Sequence, residues 1–213
     1  GNMLDYTKGT APWYAKRDIV GSITISGIKK VGNYAFSDCT KITSLSLPTL
    51  LTTIGTESIS GCTSLTTVEY PRSITSAQPN TFTGSSNLTT IKIIGEGSMQ
   101  TYTNTNQPWN SIMTQITTVE FGSSITTVGD HSFNGATSLK TLKLGSIQTI
   151  GSYAFASSGI TSLTLPTSTK TIKSYAFSSC SSLTSLTLTS VEVIEENVFK
   201  SIGITELTIP QTI

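Results

Sequence analysis

IGSYAFASSGITSLTLP occupies residues 150–166, and IKSYAFSSCSSLTSLTL occupies 172–188. The two stretches are one pattern written twice, and the pattern extends in both directions. With Phe155 and Phe177 as markers, the equivalent residues are Phe36, Ile59, Phe82, Phe133 and Phe199. Successive markers are 23, 23, 51, 22, 22 and 22 residues apart. Five residues before them stand Val31, Ile54, Ala77, Val128, Ile150, Ile172 and Ile194. After each marker comes an apolar triplet, as in Leu65-Val68-Tyr70, Ile160-Leu163-Leu165 and Leu183-Leu186-Leu188.

Alternation within each triplet predicts a short strand with one buried face. A turn follows, often opened by proline (Pro48, Pro71, Pro166, Pro210), which cannot donate to a ladder. The segment around the marker is too short for a full helix, and one turn of α or 3₁₀ helix is expected there. A single unit of this length cannot bury its own apolar face. Stacked neighbours can, so the chain reads as a solenoid.

The long step conceals a variant unit. Met3, Tyr6, Pro12 and Trp13 fall on Met99, Tyr102, Pro108 and Trp109, each 96 residues later. Val20-Ile23-Ile25 falls likewise on Ile116-Val119-Phe121. The expected order within one array over residues 1–213 is a Pro-Trp variant (1–25), three repeats (26–93), a second variant (97–121) and four repeats (122–213). That order predicts nine strands, spaced about 4.8 Å apart in a sheet about 40 Å long.

Composition narrows the function classes. Charged residues are 12% and the net charge is +1, so nothing favours nucleic acid or an anionic membrane as partner. No apolar run approaches the length of a membrane span. GNMLDY has neither the basic end nor the apolar stretch of a secretion signal, and reads as an internal or mature start. ITELTIPQTI stops inside the repeat, so an open apolar edge is expected, with either weak self-association through the C-terminal repeat or a cap in a longer protein.

Candidate chemistry is sparse. The lone histidine, His131, stands between Asp130 and Ser132, but its slot holds Tyr34, Glu57, Asn80, Tyr153, Tyr175 and Asn197 in the other repeats. It is expected to be a variable, partly exposed, aromatic-like position, since a triad needs spatial rather than sequence neighbours. Cys39, Cys62 and Cys180 share a slot filled elsewhere by Ser85, Ala136, Ser158 and Ile202, which favours small buried residues. A Cys39–Cys62 bridge stays open, although side chains pointing inward in parallel favour free thiols. No CxxC, GxGxxG, Gly-Lys-Ser/Thr or GxSxG occurs, so no catalytic residue, metal or cofactor is expected. Asn87-Leu88-Thr89 is a glycosylation sequon. Trp13 and Trp109 are expected in the core of their units, with protruding anchors for a partner as the alternative.

The outward residues of each strand carry the binding expectation. Thr67/Glu69, Thr90/Lys92, Thr118/Glu120, Thr141/Lys143 and Ser162/Thr164 fall in two rows on one face. Glu and Lys alternate along one row, and neighbours of opposite sign attract by roughly 0.2–1 kcal/mol. Those ten residues form the candidate partner-binding surface. Ice binding, which regular threonine rows suggest, does not suit a face interrupted by Glu and Lys.

The repeat resembles the BspA-like leucine-rich repeat family across essentially the whole chain. Ile59 in place of the marker Phe, and Ala77 in place of a larger residue, are local departures. The resemblance implies a β-rich α/β solenoid, right-handed, with a single parallel sheet on the concave face and short α or 3₁₀ turns on the convex side. It also implies a surface or secreted protein, with adhesion to extracellular matrix or host-cell proteins among the family's roles. No catalytic residues come with it. The expected function is therefore non-enzymatic binding of an extracellular protein on the Ser/Thr-rich face. The alternatives are a structural spacer, or carbohydrate binding through Tyr6, Trp13, Tyr102 and Trp109.

Overall fold

Equal repeat lengths bring the apolar triplets into register as parallel strands. The computed structural model describes residues 1–209, so Pro210 and the turn expected there lie outside the described residues. The chain forms two compact units: Gly1–Ile94 with Thr105–Ile112, and Gly95–Asn104 with the chain from Met113 onward.

In the first unit, Ser44–Ser46, Thr67–Pro71 and Thr90–Ile94 run parallel. Leu45 lies beside Val68, and Val68 beside Ile91, so each apolar residue meets its equivalent one repeat away. In the second unit, Thr118–Phe121 pairs with Thr141–Lys143, and Ser162–Thr164, Ser185–Thr187 and Glu206–Thr208 pair in sequence. The expected strand around Ile23 is not formed. Residues 21–26 have no strand conformation, and Ile23 and Ile25 are only half-buried, whereas their counterparts Val119 and Phe121 are buried. Alternation makes a strand only where a ladder satisfies its backbone and a cover buries its apolar face. Eight such strands stand among the described residues, not nine.

A second parallel ladder, absent from the sequence expectation, runs through the residues five before each marker. Lys30–Val31 pairs with Thr53–Ile54 in the first unit. In the second, Gly97–Ser98, Ile125–Val128, Thr149–Ile150, Thr171–Ile172 and Val193–Ile194 follow one another. Its strands are mostly two residues long, too short to leave a periodic signal.

The marker segments are turns rather than helical turns. The 3₁₀ helices among the described residues are Tyr14–Lys16 and Asn110–Gln115, at matching places in the two Pro-Trp variants. Around Phe155 the amides alternate between two kinds of partner. Tyr153, Phe155 and Ser157 donate to Ser174, Ala176 and Ser178 of the next repeat, at 3.2, 2.9 and 2.8 Å. Ala154, Ala156 and Ser158 donate three residues back, to Gly151, Tyr153 and Phe155. A right-handed helix cannot alternate in this way. Positive φ on both sides of the marker breaks it: 55° at Tyr153 and 55° at Ser157. The same two slots are left-handed at Tyr34 and Asp38, His131 and Gly135, Tyr175 and Ser179, and Asn197 and Ser201. Most of these residues have side chains, and left-handed backbone costs such a residue roughly 1–2 kcal/mol. Ser157→Gly is therefore expected to stabilise the fold by up to about 1 kcal/mol, the entropy of glycine offsetting part of the gain. A thermal melt of the variant checks this, and a lowered midpoint would refute it.

Inside the second unit the marker rings stack into a column. Phe133, Phe155, Phe177 and Phe199 lie 5.8, 5.5 and 5.9 Å apart, ring to ring and nearly parallel.

Candidate functional site

Strand alternation places the outward residues in two rows, as the sequence predicts. Thr67 is beside Thr90 and Glu69 beside Lys92 in the first unit. Thr118 is beside Thr141 and Glu120 beside Lys143 in the second, and Ser162/Thr164 continue into Ser185/Thr187. Thr141, Lys143, Ser162 and Thr164 are exposed; Thr67, Glu69, Thr90, Lys92, Thr118 and Glu120 are half-buried. Lys143 reaches Glu120 at 2.7 Å, the ion pair that the alternation of sign predicts. The Glu69 carboxylate accepts a hydrogen bond from the Ser46 hydroxyl at 2.7 Å.

The first unit's rows surround a shallow depression of about 370 Å³, lined by Ser44, Leu45, Ser46, Thr67, Glu69 and Lys92. Ser44 and Ser46 sit on the same two rows but outside the ten candidate residues. Their membership of the rows is the signal that would have included them. The depression offers hydroxyls, one carboxylate and one ammonium around a narrow apolar floor. Such a lining offers hydrogen-bond donors and acceptors of both charges to whatever enters it. A second hollow of about 240 Å³, in the other unit, is lined by Thr137, Gly159 and the hydroxyls of Ser157, Ser158, Ser179, Ser181 and Ser182. The sequence reading did not single it out, because serine-rich turns carry no distinguishing motif.

His131 stacks on Tyr153 at 4.9 Å, and Tyr153 on Tyr175 at 4.8 Å, with rings parallel within 4°. The histidine is thus the first ring of an aromatic column on the turn, matching the expectation of an aromatic-like slot. Its neighbour Asp130 accepts from the Ser152 amide at 2.8 Å, and Ser132 donates to the Gly129 carbonyl at 2.7 Å. Both neighbours serve the backbone. His131→Tyr, which restores the residue found in this slot in three other repeats, is expected to change stability by less than about 0.5 kcal/mol. Equilibrium unfolding checks this; a shift several times larger would show that the imidazole's own contacts, Asn134 at 3.5 Å from its Nδ1 among them, outweigh the ring stacking that tyrosine can replace.

All three cysteines are buried and free. Their slot is more polar than the sequence suggested. Cys62 Sγ donates to the Phe36 carbonyl at 3.3 Å, Ser85 Oγ to that of Ile59 at 3.0 Å, and Cys180 Sγ to that of Phe155 at 3.2 Å. Each side chain thus reaches the marker carbonyl of the preceding repeat, which is why Ser and Cys interchange here. Burial pushes the Cys39 thiol up to about 11 and the Cys62 thiol to about 12. An unfolded thiol ionises near 8.5. The thiols thus favour the fold fully below that value, and their contribution is lost as pH rises through 11 to 12. At pH 8 a disulfide reagent is expected to leave all three unlabelled until the protein unfolds; rapid labelling of native protein would contradict their burial.

The variant units use their aromatics internally. Trp109 is fully buried and meets Tyr70 edge to face at 5.3 Å. Trp13 is half-buried, donates its indole N–H to the Ala35 carbonyl at 2.6 Å and stacks on Phe36 at 5.6 Å. Tyr102 is buried as well. The carbohydrate alternative therefore loses Tyr102 and Trp109, whose rings are not at the surface. The sequon residue Asn87 is exposed and donates its side-chain amide to the Thr63 carbonyl at 2.7 Å. Among the described residues, no cluster of His, Cys, Asp and Glu could hold a metal ion, and no helix is long and apolar enough to cross a membrane.

Residues 14–106 and 110–213 match, in six copies, the family described as the BspA type leucine rich repeat region. The chain belongs to this BspA-type family. Among solved structures it is similar to a leucine-rich repeat protein from Bacteroides ovatus, with 23% identity and a TM-score of 0.51. That match covers 82% of this chain and 50% of the other. It is also similar to a leucine rich cell surface protein from Faecalibacterium prausnitzii, with 23% identity and a TM-score of 0.46, over 84% of this chain and 47% of the other. This BspA-type chain thus spans about half the length of both. At such identity the likeness concerns the fold alone. No curated protein matches the sequence.

Proposed function

We propose that the chain is a non-enzymatic binding module of a cell-surface or secreted protein, docking an extracellular protein partner on the Ser/Thr-rich sheet face. One observation carries this reading: hydroxyl and charged side chains from successive repeats converge, in register, on the depression lined by Ser44, Ser46, Thr67, Glu69 and Lys92. Membership of a repeat family that commonly mediates protein interactions supports it. So does the chemistry of the rows. Short hydroxyl side chains lose little rotamer entropy on docking, and the paired charges can fix register with a complementary partner.

The test is binding of the purified chain to a panel of matrix proteins and intact host cells. Beside it runs a variant with Thr67, Thr90, Thr118 and Thr141 changed to Lys. Saturable binding that disappears in the variant is the expected result. Binding that survives in the variant would move the site off the sheet face. No binding by the native chain, with its circular dichroism intact, would favour a spacer that displays another part of a longer protein.

A further inference from the structure

Tyr153 and Tyr175 hold one slot in two successive repeats, with rings 4.8 Å apart and parallel within 2°. The slot lies in the turn, outside the strands that carry the two rows of the sheet face. Backbone sets the geometry of the pair. Both residues are left-handed, with φ of 55° and 61°, so both side chains leave the chain in the same direction. Their amides donate to the following repeat, Tyr153 to the Ser174 carbonyl and Tyr175 to that of Glu196, each at 3.2 Å. A step of 22 residues then sets one ring over the other. The turn itself does not require tyrosine. Asn197 fills the slot with φ of 56°, and left-handed backbone suits asparagine better than an aromatic residue.

The neighbours isolate the two phenols. His131 stacks on the other face of Tyr153 at 4.9 Å, and Asn197 donates its side-chain amide to the Tyr175 hydroxyl at 3.1 Å. Elsewhere the tyrosines are placed differently. In the first unit the slot holds Tyr34 and then Glu57. Tyr6 meets Trp13 edge to face, and Tyr70 and Tyr102 are buried. Tyr153 and Tyr175, both half-buried, combine a stacked phenol neighbour with access to solvent.

A phenol that loses one electron and one proton becomes a phenoxyl radical, with spin on the ring carbons ortho to the oxygen. Two such radicals combine through those carbons. Fixed stacking replaces a diffusive encounter by contact within one chain.

We propose that Tyr153 and Tyr175 form an oxidative cross-linking site, at which a one-electron oxidant couples them to dityrosine within a single chain. Two equivalents of oxidant take one electron from each phenol, and the two phenolic protons go to water. A carbon–carbon bond forms between a Cε of Tyr153 and a Cε of Tyr175. The hydrogens on those two carbons move to the two oxygens, which restores both phenols. The chain ends two hydrogens lighter, with a covalent staple between successive repeats. The proposal is independent of what the sheet face binds.

Photo-oxidation of the whole chain with a ruthenium tris-bipyridyl sensitiser and persulfate tests it, at a protein concentration low enough to make encounters between chains rare. The expected product is a monomer two hydrogens lighter, with the blue fluorescence of dityrosine. Trypsin, cutting at Lys143, Lys170, Lys173 and Lys200, then leaves peptide 144–170 joined to peptide 174–200. Tyr153→Phe and Tyr175→Phe each keep a ring in the stack but remove a phenol. Each is expected to lower the dityrosine yield at least about tenfold, as is unfolding in urea before illumination, because the pair no longer reacts in contact. Tyr34→Phe is expected to leave the yield unchanged. Absence of the linked peptide from the oxidised native chain overturns the proposal. So does a yield as high in urea as in buffer, a link from Tyr153 to His131 in its place, or dityrosine found only between chains.

Discussion

Phe155→Ala is expected to lower stability by about 3–5 kcal/mol, the usual cost of emptying a fully buried aromatic site. Phe155 is wholly buried between Phe133 and Phe177, with ring centroids 5.8 and 5.5 Å away. Removing the ring weakens two inter-repeat interfaces at once, because each repeat contacts its neighbours on both sides. Small domains are stable by only about 5–15 kcal/mol, so the loss is a large share of the whole. In a linear array such a break also separates the cooperativity of the parts on either side. Urea unfolding is therefore expected to shift to lower denaturant and to broaden or split into two steps. Phe155→Leu should cost under about 1.5 kcal/mol, since an aliphatic side chain fills most of the volume. Ile59, buried in the same slot of another repeat, is a natural case of that replacement. An alanine variant that unfolds at the native midpoint would mean that the column fills space without contributing to stability.

The column was legible in the sequence because a large residue recurs at one spacing, and burial of large residues is what the repeat is for. The strands after it were legible for a related reason: alternation at Leu163 and Leu165 fixes which face is inward. The two-row surface followed from the same alternation, down to the Glu120–Lys143 pair. What stayed hidden was backbone conformation. Tyr153 and Ser157 give no sign of left-handed φ, whereas Gly135 does, and most repeats place a residue with a side chain in these slots. Amides donated to the next repeat are equally silent, because any residue but proline can supply them. The strand around Ile23 failed for the opposite reason. Its pattern is sound, but a pattern states what a segment can bury rather than what is there to cover it. The N-terminal Pro-Trp unit copies the central one in sequence and differs from it in burial, a difference the repeat alone does not reveal.

Gly129→Ala is expected to cost about 3 kcal/mol, although Gly129 lies outside the left-handed region. The reason is proximity. A Cβ on Gly129 would stand 1.9 Å from the Gln100 carbonyl oxygen and 2.7 Å from its carbon, both backbone atoms. That carbonyl cannot simply step aside. Met99 donates to the Thr127 carbonyl and Tyr102 to that of Asp130, both at 3.0 Å, so bonds pin the segment on either side of it. Making room breaks one or both, at about 1 kcal/mol each, and draws the buried side chains of Met99 and Tyr102 out of the core. The twin position supplies the control. Gly32 approaches the Leu4 carbonyl in the same way, and a Cβ there would stand 1.7 Å from its oxygen. Residues 1–5 are largely exposed, with Leu4 at 73%, so peeling them away gives up solvent-exposed bonds, such as those of Asp5 to Lys30 and the Asn33 amide, and no fully buried side chain. Gly32→Ala should therefore cost about half as much or less, despite the tighter clash. Hydrogen exchange distinguishes the two: in Gly129→Ala the Met99 and Tyr102 amides lose protection together with the second unit, whereas in Gly32→Ala the loss is confined to Met3, Tyr6 and the Lys29 and Asn33 amides that bond to residues 1–5. Equal costs at the two glycines would mean that the close approach itself sets the penalty, and not what the displaced segment holds in place.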